Sequence, residues 1–371
     1  MKLSPSTSIN TADAIAGFVL GMAVGDALGL PREGISRCRA SRMYGTSPLK
    51  YHLVFGRGMV SDDTEHMRMT ATAWLSEPAD STRFARCLAS KLRWWLIAMP
   101  AGTGMATARS IIRLWLGWPA SRSGVRSAGN GPAMRAGILG LCLNRDGEDL
   151  AEFVRASTRI THTDSQAELG AQIIALAARE CIRSGGRPID PRTFLRMCRE
   201  LPLDETWQTA LTSVELALEA NESALEFAAR MGLENGVSGY IVHTVSAVLF
   251  CWLRWPGEFR RPVEEIILLG GDTDSTAAIL GGLAGTCCGV NSIPREWLDY
   301  LIEWPYSVTW MQFRLAADLH IRLESNAANS PPMPRLSPLP TGLTALAALG
   351  RNIVFLTIVL AHGLRRLLPP Y

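Results

Sequence analysis

The chain of 371 residues has eight cysteines but no CxxC pair and no paired spacing among them. That usage argues for reduced thiols in a cytosolic compartment. Net charge is small at +3, and no Lys/Arg block with interleaved aromatics occurs. The electrostatic footprint of a nucleic-acid-binding protein is therefore absent. No continuous apolar run precedes Thr11, so a cleaved secretion signal is not expected. Strand-like alternation is nearly missing, and there is no internal repeat. Hydrophobic residues at 47% against 19% charged exclude a disordered chain and give enough material for one large core or two ordinary domains.

What the chain does have is apolar residues at three- and four-residue spacing. The spacing predicts helices over residues 12–24, 65–75, 81–98, 104–117, 132–143, 148–158, 164–184, 206–230, 239–254, 262–268 and 276–288. Pro and Gly clusters at 31–34, 124–132 and 184–191 punctuate them. An all-α, many-helix domain with loops converging on a site follows. Trp94, Trp95, Trp115 and Trp118 lie at helical spacing and are expected in the core, as are Cys287 and Cys288 as small buried hydrophobes.

Two strings carry the chemistry. SDDT at 61–64 and GGDTDST at 270–276 each put two carboxylates beside a hydroxyl. Hard cations such as magnesium take oxygen ligands of this kind. Asp62, Asp63, Asp272 and Asp274 with Ser61 and Ser275 could hold one ion, or two sharing carboxylates, if the fold joins the segments. The competing reading of SDDT is a helix N-cap, since Ser, Asp and Thr satisfy the free N–H groups of a first turn. GGDTDST resists that reading better, because it leads from Ile266–Leu269 into another apolar stretch, where unpaired carboxylates are costly.

Other loops are candidates beside these. GDALGLPREG at 25–34 ends an apolar helix and presents Glu33 on a turn. GVRSAGNGPAMR at 124–135 offers Gly129 and Gly131 for close backbone approach, with Asn130 between them and Pro132 suited to the next helix start. THTDSQA at 161–167 places His162 before a long apolar helix, as a cap, as a packed surface imidazole or as a contact to a ribose or base.

GDALGLPREG, SDDTEH, GNGPAMR, THTDSQA and GGDTDSTAAILGGLAG occur in an order and spacing that resembles the ADP-ribosylglycohydrolase family, over roughly residues 12–320. The resemblance implies an all-α fold with a binuclear magnesium centre, manganese being the other candidate ion, and removal of ADP-ribose from modified protein side chains. Metal ligands would be Ser61, Asp62, Asp63, Asp272, Asp274 and Ser275. Glu33, Asp62 and Asp63 would carry catalysis, while Gly129, Asn130, Gly131 and His162 would bind substrate. Arginine linkage is the expected acceptor chemistry; serine-linked, O-acetylated or other ADP-ribose derivatives, or an immunity-type protein that binds an ADP-ribosylating toxin, are the alternatives. The chain departs from the family pattern at three places: Ser61 for Thr, Arg126 and Ser127 where glycines are common, and Ser165 for Pro. Arg126 would bind a phosphate or narrow the pocket.

The end of the chain reads separately. Residues 1–325 form the expected catalytic domain, 326–340 a Pro/Ser-rich linker, and 341–371 an apolar, basic helix. Residues 343–364 are long enough to span a bilayer but contain Arg351, Asn352 and His362. Packing on a membrane surface or a partner is the leading expectation for an otherwise cytoplasmic protein; a true span and a helix folded back on the domain compete with it.

Overall fold

The computed structural model describes residues 9–325, 338 and 341–369; the expected linker therefore lies outside the described residues except for Pro338. Among the described residues the chain is helical, with isolated bridges and no strand, as the periodicity implies. Helices Thr11–Gly29, Asp62–Ser76, Ser81–Ile97, Ala133–Cys142, Ser165–Ser184, Ile241–Arg254 and Thr273–Cys288 fall close to the expected ranges. The stretch 206–230 is a correction, because it forms two helices, Glu205–Glu219 and Ala224–Arg230. Asn221 turns left-handed at φ 52, and Ser223 with Glu226 forms a capping box that starts the second helix.

The centre of the fold is an antiparallel pair, Thr11–Gly29 against Thr273–Cys288, and glycine makes it. Gly17, Gly21, Gly25 and Gly29 recur every four residues and so share one face of the first helix. Cβ atoms there would stand 2.0, 2.2, 2.0 and 2.2 Å from the backbone oxygens of Gly285, Gly281, Ala277 and Thr273. The two backbones touch along the whole seam. The first helix is apolar enough over Thr11–Arg32 to cross a membrane, with a mean hydropathy of 1.6, but that stretch is wholly buried and is a core helix.

Around this pair packs one large core that includes Trp74, Trp207 and Phe250. Of the tryptophans expected inside, Trp95 is buried, whereas Trp94, Trp115 and Trp118 are exposed; Trp94 and Trp115 pack edge to face on the surface. Trp94 and Trp95 are neighbours on one helix and cannot share its face, and Trp118 lies beyond the end of the helix Met105–Trp115. Cys287 and Cys288 are only partly buried.

The C-terminal helix Thr341–Arg365 folds back on the domain. Arg351 donates to the Glu303 carboxylate at 2.8 and 2.9 Å and to the Val60 carbonyl at 2.5 Å. Asn352 donates to the Ala98 carbonyl at 2.8 Å, His362 Nε2 lies 2.7 Å from the Leu53 carbonyl, and Arg366 donates to the Pro31 carbonyl at 3.1 Å. Phe355, buried between these contacts, packs with Leu30, Leu53, Met59 and Ala101.

Candidate active site

The glycine seam brings two helix starts together. Ser61 is the N-cap of Asp62–Ser76, so the capping reading of SDDT is correct for that serine, while Asp62 and Asp63 occupy the first turn. Asp272 stands at the N-cap position of Thr273–Cys288, with Asp274 in its first turn. Ahead of it Gly270 and Gly271 have φ of 77 and 87, and a Cβ on Gly271 would stand 2.0 Å from the Val237 carbonyl oxygen. Only glycine fits there. The Ser275 hydroxyl donates to Asp63 Oδ2 at 3.1 Å and the Ser61 hydroxyl to the same oxygen at 3.3 Å, so the two strings meet. Both helix dipoles point their positive ends at the carboxylates.

Asp26, the aspartate within the GDALGLPREG string, anchors this junction. It is fully buried in the first helix and accepts from the Ser61 amide at 2.9 and 3.0 Å, and from the Thr64 amide at 3.1 Å and hydroxyl at 2.5 Å. Burial pushes its carboxyl up to about 6, against the opposing pull of those hydrogen bonds. The only sequence signal was a carboxylate where the surrounding pattern allows no polar group.

Asp62, Asp63 and Asp274 are all held well above the usual carboxylate range. Burial comes first in each case; the charge of Asp26 and Glu65 follows for Asp62, Asp62 and Asp26 for Asp63, and Glu33 and Asp272 for Asp274. Asp62 keeps partial solvent access, while Asp63 and Asp274 are buried. Asp63 Oδ1 is buried with no hydrogen-bond partner. Among the described residues, no three His, Cys, Asp or Glu side chains are already gathered into a coordination sphere. The donor set is nonetheless all oxygen, as magnesium prefers, and a mutually repelling, partly orphaned carboxylate group fits a cation.

Glu33 sits on the turn after the first helix. That turn is tied to the second string by the Gly34 amide, which donates to the Gly271 carbonyl at 2.9 Å. The Thr273 hydroxyl donates to the Gly29 carbonyl at 2.8 Å. Glu33 is solvent-accessible, yet its carboxyl is raised by the protein crowding it, then by the charge of Asp272 and Asp26, with Arg366 opposing.

The 127–131 loop closes another side. Asn130 donates to Asp272 Oδ2 at 2.7 Å and to the Thr244 hydroxyl at 3.0 Å, which fixes the aspartate from the loop. His162, expected as a surface or substrate-facing imidazole, is buried; its ring lies 3.3 Å from where a Cβ on Gly129 would stand and 3.2 Å from one on Gly131. Its Nδ1 is 2.8 Å from the Thr161 hydroxyl, which accepts from Arg135 at 2.5 Å. The other ring nitrogen, Nε2, faces the glycine loop, 3.3 Å from the Gly129 Cβ position. Burial, followed by the Arg135 charge, lowers His162 to about 3. Arg135, a second residue whose role was missed, is fully buried and also binds Ser157 and the Gly131 carbonyl.

The three departures are accommodated. Ser61 keeps its hydroxyl on Asp63. Arg126 extends into solvent, 3.9 Å from Asp164, and Ser127 accepts from the Gly129 amide at 3.3 Å. Ser165 occupies the first helical position after Asp164, where proline or serine serves equally.

These features define an all-α protein whose acidic junction lies at the meeting of two helix starts. The sequence profile of the family described as ADP-ribosylglycohydrolase matches residues 7–329. The chain is 28% identical over 304 residues to ADP-ribosyl-[dinitrogen reductase] glycohydrolase of Rhodospirillum rubrum, covering 80% of this chain and 92% of that one. It is 25% identical over 337 residues to ADP-ribosylarginine hydrolase Tri1 of Pseudomonas putida, covering 86% and 80% respectively. A solved ADP-ribosylglycohydrolase-related protein complex superposes with a TM-score of 0.63 at 27% identity, covering 84% of this chain and 98% of that one. The chain belongs to the ADP-ribosylglycohydrolase family, and it is a glycosidic-bond hydrolase.

Proposed function

We propose that this enzyme removes ADP-ribose from arginine side chains of modified proteins, using divalent magnesium or manganese bound by Ser61, Asp62, Asp63, Asp272, Asp274 and Ser275. The observation that carries the metal reading is the junction itself: facing carboxylates from two helix starts, with a buried oxygen of Asp63 unpartnered. Arginine rests on the relatives, one of which is named an ADP-ribosylarginine hydrolase. Two bound ions would supply Lewis-acid binding of ribose oxygens and activation of water.

The chain's own residues account for the rest. Glu33 holds its proton above the usual carboxylate range and stands next to Asp272, so it suits general acid work on the departing guanidine nitrogen. A water oxygen then bonds to the ribose carbon as the C–N bond breaks, passing its proton to an aspartate of the SDDT string, in the manner of other glycoside cleavage. Asn130 keeps Asp272 oriented, and His162 Nε2 lies beside a glycine loop able to approach a diphosphate.

The test is release of ADP-ribose from arginine-modified and serine-modified proteins, with and without magnesium. Magnesium-dependent release from the arginine substrate supports the proposal; release from serine alone reassigns the acceptor. Asp63→Asn provides a readout apart from turnover. It should melt higher than the parent protein in chelator, because one repelling carboxylate is gone, and lose the upward shift that magnesium gives the parent. An equal magnesium shift in both proteins refutes the ligand set. If Asp62→Ala is inactive yet still protects cells from an ADP-ribosylating toxin, a binding role replaces the catalytic one.

A further inference from the structure

The C-terminal helix is docked inside out. Its polar residues Arg351 and Asn352 are each 2% exposed and bonded to the domain, while Leu343, Leu346, Ile353, Leu360 and Leu364 are 48–68% exposed on the opposite side. The spacing of these five at three, four and seven residues puts them on one stripe. A helix facing water carries the reverse arrangement.

The apolar surface continues past the helix onto the domain. The Leu53 carbonyl that meets His362 precedes the turn bearing Phe55, which is wholly exposed at its tip with Arg57 beside it. The Ala98 carbonyl that Asn352 binds lies between Ile97 and Met99, both about half exposed. Residues 341–371 include Arg351, His362, Arg365 and Arg366 but no Asp or Glu.

We propose that this face docks on an anionic lipid bilayer, with the helix lying in the plane of the interface, its leucine stripe and Phe55 in the outer acyl region, and the catalytic domain held on its other side. Two features select this occupant. The surface is wider than one helix, since the Phe55 turn and the Ile97–Met99 turn extend it, whereas a helix pair would bury only a narrow seam. The helix carries no acid, and with Arg351, His362 and Arg366 turned inward it is the exposed Arg365, together with the exposed Arg57 beside Phe55, that complements anionic headgroups. Contacts at Arg351, Asn352, Phe355, His362 and Arg366 clamp the helix along the domain, so a transmembrane orientation would require breaking the Arg351–Glu303 pair. This proposal does not depend on which ADP-ribosyl linkage the enzyme cleaves.

The experiment is flotation of the full-length protein with phosphatidylglycerol-containing vesicles and with pure phosphatidylcholine vesicles, beside sedimentation velocity without lipid. The full chain should float with the anionic vesicles and less with the neutral ones. The triple variant Leu346→Glu, Leu360→Glu, Leu364→Glu should lose at least about tenfold in vesicle partitioning, since each buried leucine supplies roughly an order of magnitude. These side chains point outward, so its melting temperature should match the parent. Absence of flotation, equal flotation of the triple variant, or resistance to alkaline carbonate extraction overturns in-plane docking. A lipid-free dimer that the triple variant converts to monomer assigns the face to a second copy and likewise overturns it.

Discussion

Gly25→Ala tests how the fold places the site. In an ordinary helix interior this change is favourable by about 0.5–1 kcal/mol, because alanine has less backbone freedom to lose. Here the new Cβ would lie 2.0 Å from the Ala277 carbonyl oxygen and 2.5 Å from its carbon. Close carbon–oxygen contacts settle at about 3.3 Å or more, so the helices must part by over roughly 1 Å. The obstacle is backbone and cannot rotate away. Overpacking of this kind costs about 1–3 kcal/mol, which outweighs the propensity gain. Ala277 is two residues from Ser275, whose 3.1 Å bond to Asp63 joins the two strings, and a displacement of that size breaks it. Misplacement by about 1 Å can reduce turnover around a hundredfold. Urea unfolding and ADP-ribose release read the two effects. Gly350→Ala is the control, because that helical glycine has open space around it and should gain about 0.5–1 kcal/mol. A Gly25→Ala protein as stable and active as its parent would show that the backbones do not touch.

Three further predictions rest on single contacts. His162, with its folded pKa lowered to about 3, is protonated in the unfolded chain first, so its contribution to stability is complete above about pH 6.5 and falls as pH drops toward 3. His162→Gln should therefore lose about 2 kcal/mol less than the parent between pH 6.5 and 4.5 in urea titrations, and parallel losses refute the assignment. Arg351→Met leaves Glu303 without its cation in a nearly buried position and should destabilise the fold by about 3–5 kcal/mol; an unchanged melting temperature contradicts the pairing. Asn130→Ala removes the donor to Asp272, and about 1 kcal/mol of lost orientation should reduce turnover several-fold, so full activity would place that bond outside the mechanism.

Much of the fold was readable because amphipathic spacing survives in nearly every long helix. The SDDT and GGDTDST strings were readable because carboxylates beside apolar runs need a reason to be there. Asp26 and Arg135 were not, since each answers partners far along the chain: Asp26 binds the Ser61 and Thr64 amides, and Arg135 supports Thr161 and through it His162. The break at Asn221 was hidden by an apolar rhythm that resumes in phase after the turn. Exposure of Trp94, Trp115 and Trp118 could not be read from periodicity, which gives a face and not its direction. The tail showed its length and its polar residues, but not that those residues face inward.

That inward face also bears on the order in which the molecule is completed. Arg351 holds the Val60 carbonyl, immediately ahead of Ser61, across 291 positions of sequence. Arg366 holds the Pro31 carbonyl, two residues before Glu33, across 335. The glycine seam closes loops nearly as long, since the Thr273 hydroxyl reaches the Gly29 carbonyl across 244 positions, so loop length does not place one of these events before the other. The approaches to Ser61 and Glu33 are complete only when both the seam and the tail have docked. Local helices precede contacts of this range, so enzymatic competence would lag behind the recovery of secondary structure.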